Sequence, residues 1–456
     1  SRAERYGLSQ QVYDQAKVEQ VDLIITVDCG SAGGAYIDYG RSIGIETIVT
    51  DHHSIPEPPP EPLVFVHPQL ADATADFYHI TGAGVAFFLA KALLMAAYPG
   101  KDMTPLLRQL AELAMLGTVA GGGPLTGQNR VILSIGLQSI RHTKHPGLLA
   151  LLQSANIAPA EVTAESIAFF LAPRLNAAGR VAHPEWSLQI LLGDPRYAAE
   201  YCAKLEEFHH QRRAQTDALL ELAEQLIAAE EATQMPCHIL HHEQFVPGIA
   251  GLVAARLAEQ YHAPAIVLSP AEDADLLTAS CRSPEDFHLA EALRQTSHLL
   301  EKHGGHRCAA GFSIRREQLS AFREAFSALV QAQRGDAPPG PQLTADLHTE
   351  PGAFAEREIQ RLTQAGPFGN GNPEPLFLLR DVQFPEMRTV GRDQNHLAGS
   401  LGRAGKHIPF IAFRMAEHLP ASRQGGRFDA LVQPELRSYR GRTSLQLKIA
   451  DLREVA

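Results

Sequence analysis

The chain has 456 residues, 45% of them apolar and 20% charged, with a formal net charge of −11. This composition is that of a soluble globular protein of about three domains, and it excludes a wholly basic nucleic-acid coat while leaving room for a local basic groove. No apolar stretch is long enough to cross a bilayer, no signal-peptide pattern opens the chain, and the five cysteines are scattered without a CxxC, so we expect a cytoplasmic protein with reduced thiols and no membrane partner.

The first elements form a strand–helix–strand unit. Residues 21–27 (VDLIITV) are a β-branched run that predicts a buried strand, and residues 45–50 (IETIVT) predict the next one. Between them lie the turn CGSAGG and a helical pattern that ends near Ile43. This order predicts two parallel strands in one sheet.

Helical patterns dominate the next part of the chain, from near Gly84 to Leu192. Two segments interrupt them in this prediction, GGGPLTGQNR (121–130) and APRLNAAGR (172–180). Residues 197–233 carry charge on most faces with Leu or Ala at helical spacing, which predicts one long helix of the kind that bridges two domains.

A second α/β region follows this long helix. We expect a strand at 237–240 (CHIL), a helix at 248–261, and two strands in PAIVLS and LLTASCRS, with the segments GGH (304–306) and AAGFSI closing the region. From Gly340 the sequence changes to short alternating segments with Gly and Pro turns, which predicts a small β-barrel or sandwich.

Candidate metal ligands stand at the ends of the first two predicted strands. Asp28 ends the first strand, and Asp51, His52 and His53 end the second. In a parallel sheet these ends lie along one edge, so we expect the four side chains to converge. Carboxylate and imidazole ligands suit Mn²⁺, Fe²⁺ or Zn²⁺, and carboxylates alone suit Mg²⁺. The alternative interpretation is that Asp51 caps a turn and the histidines are surface residues.

Three further segments combine small residues with phosphate-binding side chains. PRLNAAGR contains Arg174, Asn176 and Arg180, SCRS contains Ser280 and Arg282, and the GGH segment is Gly304, Gly305 and His306. Small residues let a backbone approach a ligand closely, and arginine forks match phosphate oxygens. Together they predict two phosphate-binding surfaces across a cleft. The alternative interpretation of the first segment is a packed turn with two surface arginines.

The C-terminal piece from Pro385 is locally basic, because its twelve Lys and Arg exceed its seven Asp and Glu. A basic β-domain with aromatic residues fits single-stranded nucleic-acid binding by charge and stacking. Of its aromatics Phe410, Phe413, Phe428 and Tyr439, we expect most to be core and Tyr439 to be exposed. The pairs His209-His210 and His241-His242 are expected to be solvated.

The order of the longer motifs resembles a known family. The motifs VDCG, TDHH, GTVAGGGPL, FLAPRLNAAGR, TASCRS, GGHRCAAGF and AGPFGNGNPEPLF occur here in the order seen in the RecJ exonucleases of the DHH phosphoesterase superfamily. The resemblance implies a multidomain α/β fold with a parallel-sheet DHH domain (1–193), a connecting helix (194–234), a DHHA1 domain (235–335) and a C-terminal OB-like barrel (340–456).

The resemblance also implies roles for individual residues. Asp28 matches a carboxylate that bridges two divalent ions, Mn²⁺ or Mg²⁺, His52 matches a metal ligand, and His53 matches a second imidazole at the metal and the scissile phosphate. Asp51 matches the carboxylate that orients them. Ser280 and Arg282 match residues that hold a 5′-terminal phosphate, and His306 with Gly304 and Gly305 matches the wall that grips the DNA backbone.

The implied function is metal-dependent 5′→3′ degradation of single-stranded DNA to mononucleotides in DNA repair and recombination. The implied partners are single-stranded DNA, a single-strand-binding protein and a helicase, and the implied state is a monomer.

Several departures from the family pattern bear on activity. The chain begins Ser1-Arg2-Ala3 without methionine and without the family's first strand and its DxDxxG motif, so we expect a missing N-terminal piece. Gly121 stands where the family has a metal-binding Asp, and Phe245–Ile249 replaces a WHxGV pattern. His209 stands where the family has Asn.

We therefore expect at most one weakly held ion and impaired activity. The alternative hypothesis is a degenerate DHH protein that acts as a single-strand-binding or replisome-scaffold module. A third hypothesis, a phosphoesterase for short oligonucleotides or cyclic dinucleotides, is disfavoured by the C-terminal β-domain.

Overall fold

The structure, a computed structural model, describes residues 7–70, 74, 76–229, 235–335, 343–391, 393–403, 405–416, 426–439 and 442–455. The chain divides into two units, which are described separately. The terminal unit contains the described residues of Arg2–Lys144, Ile157–Ala172 and Leu343–Ala456, and the central unit contains those of His145–Asn156 and Pro173–Gln342.

A three-stranded parallel sheet opens the terminal unit. Its elements are α1 (Gln10–Val18), β1 (Leu23–Val27), α2 (Gly34–Ser42), β2 (Glu46–Thr50) and β3 (Val64–Val66). The strand order is β1–β2–β3, with Leu23 opposite Glu46 and Val27 opposite Thr50, so both strands end at the same edge as the sequence predicts. Tyr13 of α1, which is fully buried, packs with Ile45 against one face of the sheet.

The other face and the outer edge of β1 are incompletely covered. Among the described residues β1 pairs with β2 alone. Its alternate side chains Leu23, Ile25 and Val27 are 43%, 50% and 56% exposed. Parallel strands are normally buried on both faces, whereas these three apolar side chains of β1 are about half exposed.

Helices fill the middle of the chain, and one of the two predicted interruptions is wrong. The helices are α3 (Gly82–Ala97), α4 (Thr104–Ala120), α5 (Gly127–Ile140), α6 (Pro146–Ser154), α7 (Ala164–Ser166), α8 (Ala172–Val181) and α9 (Glu185–Leu192). The segment 172–180 is helical because it continues directly from a π-helical turn at Ile167–Leu171 and buries Ala177 and Ala178 completely. The other interruption is real but shorter, since α5 already begins at Gly127.

The long predicted helix and the second α/β region form most of the central unit. Its elements are α10 (Ala198–Ala229), β4 (His238–His241), α11 (Pro247–Tyr261), β5 (Ala265–Pro270), β6 (Leu276–Arg282), α12 (Leu289–Gln295), β7 (Lys302–Gly305), β8 (Ala309–Arg315) and α13 (Leu319–Arg334). The sheet order is β4–β5–β6–β8–β7, and only β4 and β5 are parallel. Helix α13 packs its buried residues Phe322, Phe326 and Val330 into the same core as β5 and β6.

The C-terminal strands close into a small barrel, as predicted. The elements are β9 (Leu347–Thr349), α14 (Glu356–Thr363), β10 (Phe377–Val390), β11 (His396–Arg403), β12 (Lys406–Ala412), β13 (Arg427–Tyr439) and β14 (Arg442–Val455). The order β11–β12–β14–β13–β10 closes because β10 also pairs with β11. Phe410 and Phe428 are core residues, each 1% exposed, whereas Phe413 is 50% exposed.

None of the helices in the described residues is long and apolar enough to cross a membrane.

Candidate metal centre and phosphate contacts

The candidate metal centre lies at the carboxyl edge of the three-stranded sheet. Asp28 directly follows β1 and donates its backbone N–H to the Thr50 carbonyl at 3.0 Å, which ties it to the end of β2. Its φ of 64° lies in the left-handed region, where an aspartate is several-fold more frequent than most residues. The side chains of Asp28 and the histidines after β2 therefore leave the sheet side by side.

One ligand atom from each of Asp28, His52 and His53 lies within 4.8 Å of the others. Nε2 of His52 is 3.0 Å from Oδ1 of Asp28. This contact raises the pKa of His52 above its ordinary value, although burial opposes the effect. One carboxylate oxygen and two imidazole nitrogens at this spacing fit the donor set of a borderline divalent cation such as Mn²⁺.

Asp51 is the buried anchor of the site, with 1% of its surface exposed. It accepts backbone hydrogen bonds from Ser31 at 2.9 Å, His52 at 2.7 Å and His53 at 3.2 Å, and it lies 2.7 Å from Nδ1 of His53. Burial alone would raise the pKa of Asp51, but these hydrogen bonds outweigh it and hold the pKa well below its ordinary value. When Nδ1 of His53 donates to Asp51, its Nε2 keeps the lone pair that a metal ligand needs.

His67 supports the site, and the sequence analysis missed it. It follows β3, so it stands at the same edge as the ligands after β1 and β2. Its Nδ1 accepts a hydrogen bond from the Gln69 backbone at 3.1 Å, which leaves Nε2 to donate to the His53 carbonyl at 2.7 Å. Burial lowers the pKa of His67 and so favours this neutral form. Because the carboxyl ends of neighbouring parallel strands lie along one edge, a third strand ending at Val66 would have pointed to His67 as well.

The first turn of α3 is packed against Asp28. A Cβ at Gly82 would lie only 2.0 Å from Oδ1 of Asp28, so only glycine fits at this contact. Thr81 caps the helix by accepting a hydrogen bond from the Gly84 backbone at 3.2 Å. The α3 N-terminus thus forms one wall of the site.

Gly121 follows α4 at the position where the resemblance implies a carboxylate ligand. Its φ of −81° and ψ of −3° suit any L-residue, so the backbone does not require glycine here. A Cβ at this position would meet only the Gly117 carbonyl, at 3.1 Å. Neither the backbone conformation nor the surrounding space therefore explains why a glycine stands at this position.

The arginines of PRLNAAGR lie on helix α8 of the central unit, not in the turn that the sequence suggested as the alternative. Nε of Arg174 contacts the Glu206 carboxylate, and its side chain is 13% exposed. Nη1 of Arg180 donates to the Gly248 carbonyl at 3.2 Å, and Asn176 is exposed. Both guanidinium groups therefore already have protein partners.

Ser280 and Arg282 lie on the same face of β6, close to helix α11. A Cβ at Gly251 would be 3.4 Å from Nη2 of Arg282 and 3.7 Å from Oγ of Ser280, so both side chains are packed against the start of α11. Burial lowers the pKa of Arg282. The serine hydroxyl and the guanidinium form a compact pair that fits a phosphate group.

The GGH segment forms the end of β7 and the turn after it. Gly304, Gly305 and His306 are all exposed, and the His306 backbone donates to the Ala309 carbonyl at 2.8 Å. Gly305 has a φ of 141°, and a Cβ there would lie 2.4 Å from Cα of Ala310. Glycine is therefore required by the hairpin itself, with the neighbouring imidazole left accessible.

Two remaining predictions have different outcomes. His209 was expected to be solvated, but it is 8% exposed, because α10 packs this face against the segment that carries Pro173 and Arg174. Tyr439 ends β13, and its side chain lies outside the described residues. The candidate residues thus fall into two sets, with the metal set in the terminal unit and residues 174–306 in the central unit.

Comparisons with known proteins agree with this organisation. Family models match as the DHH family N-terminal domain over residues 3–118, the DHHA1 domain over 233–332 and the RecJ OB domain over 345–451. The single-stranded-DNA-specific exonuclease RecJ of Dickeya dadantii is 33% identical, over 98% of this chain and 80% of that protein. The RecJ of Bacillus subtilis is 28% identical, over 98% of this chain and 56% of that protein.

A solved structure agrees at the level of the whole fold. The crystal structure of RecJ in complex with Mn²⁺ from Thermus thermophilus matches with a TM-score of 0.83 at 29% identity, and the match covers 98% of this chain and 64% of that one. The chain thus spans between about half and four-fifths of the length of these relatives. The identity and coverage of the Dickeya relative, together with the shared fold, show that this chain belongs to the RecJ family.

Proposed function

We propose that the chain carries the chemistry of its family, the metal-dependent hydrolysis of single-stranded DNA from the 5′ end to mononucleotides in DNA repair and recombination. The observation that supports this most strongly is the convergence of Asp28, His52 and His53, whose ligand atoms lie within 4.8 Å of one another at the edge of a parallel sheet. Free DNA ends would be the substrate, and the five free cysteines support the reducing, cytoplasmic location that goes with this role.

Asp28, His52 and His53 would hold a divalent ion, with Mn²⁺ favoured over Mg²⁺ because two of the three donors are imidazoles. When bound, such an ion supplies an activated water and a positive charge beside the scissile phosphate. Asp51 holds the His53 ring in one orientation through a 2.7 Å contact, and His67 holds the His53 backbone. These contacts keep the ligands in place before the substrate arrives.

The central unit would hold the phosphates of the substrate. Ser280 and Arg282 offer a hydroxyl and a guanidinium side by side on β6, which suits the terminal phosphate of a 5′ end. His306, at the exposed hairpin after β7, would contact the DNA backbone. Arg174 and Arg180 contact Glu206 and the Gly248 carbonyl, so we assign them to shaping this surface around Asn176 rather than to the first contacts with phosphate.

We further propose that catalysis is impaired in the chain as it stands. Position 121, where the resemblance implies a carboxylate ligand, offers no side chain to an ion. Three donors leave a divalent ion weakly held, and loss of charge stabilisation at the transition state typically costs orders of magnitude in rate.

The test is digestion of 5′-phosphorylated single-stranded DNA with Mn²⁺, comparing the unaltered chain with Gly121→Asp and the isosteric Gly121→Asn. We expect little digestion by the unaltered chain, at least a tenfold gain with Gly121→Asp because a carboxylate is added to the ligand set, and no gain with Gly121→Asn. His52→Ala should abolish whatever activity is present. Strong digestion by the unaltered chain that His52→Ala removes would contradict the impairment, and activity that survives His52→Ala would contradict the site.

A second candidate function is a binding or scaffold role for a degenerate family member, and Gly121 is the observation that favours it. Its partners would be single-stranded DNA, a single-strand-binding protein and a helicase, each bound by a monomer. The exposed Phe413 and the basic excess after Pro385 support single-strand binding by the barrel. In an anisotropy titration we expect binding that weakens as salt rises, and no binding at low salt would remove this candidate.

A further inference from the structure

The segment before β10 is hydrogen-bonded to the loop between α4 and α5, a contact that joins residues about 245 positions apart in one unit. We call residues 365–372 the clasp and residues 121–126 the glycine loop. The Leu125 backbone donates to the Asn370 carbonyl at 2.6 Å, and Nδ2 of Asn370 donates to the Gly122 carbonyl at 2.6 Å. Nη2 of Arg130 donates to the carbonyls of Ala365 and Gly366 at 2.6 and 2.8 Å.

Two of the three glycines of the clasp, Gly369 and Gly371, allow this close approach. Gly369 has a φ of 153°, and a Cβ there would lie 2.6 Å from Cδ1 of Leu125. Gly371 has a φ of 72°, and a Cβ there would lie 2.9 Å from Cβ of Pro124. Leu125 is 3% exposed, so the contact is a packed interface and not a loose surface meeting.

The glycine loop is in turn packed on the start of α3. A Cβ at Gly123 would lie 2.2 Å from Cγ2 of Thr81, so the loop backbone rests directly on the residue that caps this helix. Asn129, which is 2% exposed, joins the two segments, because its Nδ2 donates to the carbonyls of Pro124 at 3.0 Å and His79 at 2.8 Å. Its Oδ1 accepts from the Thr81 backbone at 3.2 Å.

The start of α3 is also the wall of the metal centre. Oγ1 of Thr81 lies 2.9 Å from Oγ1 of Thr118 on α4, which fixes the cap between two helices. The next residue, Gly82, has the close contact with the Asp28 carboxylate described above. A continuous series of short contacts therefore runs from the clasp through the glycine loop, Asn129 and Thr81 to a candidate metal ligand.

We propose that Asn370 is a positioning residue for the metal centre, acting through the glycine loop and the first turn of α3 to hold Asp28 in its ligand geometry. The inference deepens the proposed function and rests on it for the identity of the site. Arg130 and Asn129 are the other positioning residues of the series.

Two substitutions of Asn370 separate the effect of removing its side chain from that of reversing its polarity. Asn370→Ala deletes the donor to the Gly122 carbonyl, whereas Asn370→Asp keeps the shape but sets a carboxylate oxygen against that carbonyl. The matched control is Asn395→Ala, because Asn395 is an exposed asparagine on the same barrel. In each variant the backbone carbonyl of residue 370 still accepts from Leu125, so the clasp is weakened rather than deleted.

The first measurement is amide hydrogen exchange on the full metal-free chain. We expect exchange in peptides covering 121–126 and 79–85 to rise at least threefold with Asn370→Asp, by less with Asn370→Ala, and not at all with Asn395→Ala. Exchange in the barrel strands should be unchanged in all three. A rise confined to 121–126, or no rise in either peptide, would overturn the proposal, because the coupling would then end before the metal centre.

The second measurement is Mn²⁺ binding, followed by the paramagnetic resonance signal of the free ion. Support around metal ligands is typically worth about ten- to a hundredfold in affinity, and for this more distant residue we expect a loss of about three- to tenfold with Asn370→Asp. Unchanged affinity in both Asn370 variants would overturn the inference. If the unaltered chain binds no Mn²⁺, the proposed function fails, and the exchange measurement still decides whether Asn370 controls the first turn of α3.

Discussion

The two sheets that carry the candidate residues differ in how far their apolar side chains are buried. In the central sheet, residues 265–269 of β5 are all buried, and α11 and α13 cover its two faces. In the three-stranded sheet, β1 leaves Leu23, Ile25 and Val27 about half exposed, and the strand has one neighbour among the described residues. The candidate metal ligands lie at the edge of the three-stranded sheet, whereas the candidate phosphate contacts lie on the central sheet, whose faces are covered. Substitutions of the exposed side chains of β1 should therefore cost much less stability than substitutions in the buried core of the central unit.

The largest effect is expected from the core of the central unit. Phe326 is fully buried and stacks on Phe322 with ring centroids 5.4 Å apart. Phe326→Ala should lower the free energy of unfolding of the central unit by about 3–5 kcal/mol, because it removes a large apolar side chain and leaves a cavity. Denaturant titration of the full chain, monitored by limited proteolysis at sites in the central unit, would measure the loss. The control is Phe169→Ala, since that side chain is 69% exposed and its removal should cost little. Equal losses in both variants would contradict the assignment of stability to this core.

A smaller loss of stability is expected in the central unit when the pH is lowered. His238 of β4 is 2% exposed, and its ring packs on that of Tyr261 with the ring centroids 4.5 Å apart. Burial lowers the pKa of His238 below its ordinary value. Because the folded state prefers the neutral imidazole, the stability from this group is fully present above the ordinary pKa of about 6.5 and is lost as the pH falls from there through the lowered pKa. We expect the free energy of unfolding of the central unit to drop below pH 6.5, by about 1.4 kcal/mol for each pH unit that separates the two pKa values.

The control for this pH dependence is His238→Phe, which fills a similar volume without a titrating group. Its unfolding free energy should vary less between pH 5 and pH 7 than that of the unaltered chain. If both proteins lose stability in parallel over this range, another group carries the pH dependence and His238 does not. Comparing the pH dependence of the two proteins thus tests whether the buried imidazole of His238 controls the stability of the central sheet at low pH.

Residues that follow neighbouring parallel strands meet at one edge of the sheet, and this explains how much of the candidate site the sequence could predict. Two β-branched runs separated by a helix-length segment imply parallel strands, and this order alone predicts that Asp28 lies beside His52. β3 is only three residues long (VFV) and follows a proline-rich segment, so the sequence pattern does not mark it as a strand and does not single out His67. Small residues in PRLNAAGR suggested a turn, although here their role is to let α8 pack closely, with Ala177 and Ala178 fully buried.

The clasp could not be predicted from the sequence for a different reason. Its hydrogen bonds join backbone carbonyls to Asn370 and Arg130 across more than 230 residues, and backbone acceptors leave no mark in a pattern of side chains. Local periodicity determines elements and strand ends, whereas the pairing of two glycine-rich loops depends on the completed fold. The repeated glycines at 121–123, 369 and 371 signal close approach but do not identify the partner.

The smallest effect is expected at the open face of β1. Ile25 is 50% exposed and lies opposite Ile48 of β2, so Ile25→Ser removes little buried apolar area and should change the unfolding free energy of the terminal unit by no more than about 0.5 kcal/mol. Val49, which is fully buried on the opposite face of the same sheet, gives the matched comparison: Val49→Ser should cost at least about 2 kcal/mol, because it loses apolar burial and places a hydroxyl in the core. Thermal unfolding of the chain, monitored in the terminal unit by hydrogen exchange of the β2 amides, would measure the loss of stability in both variants. A large loss with Ile25→Ser would mean that the open face is covered in solution, and the contrast between the two sheets would then disappear.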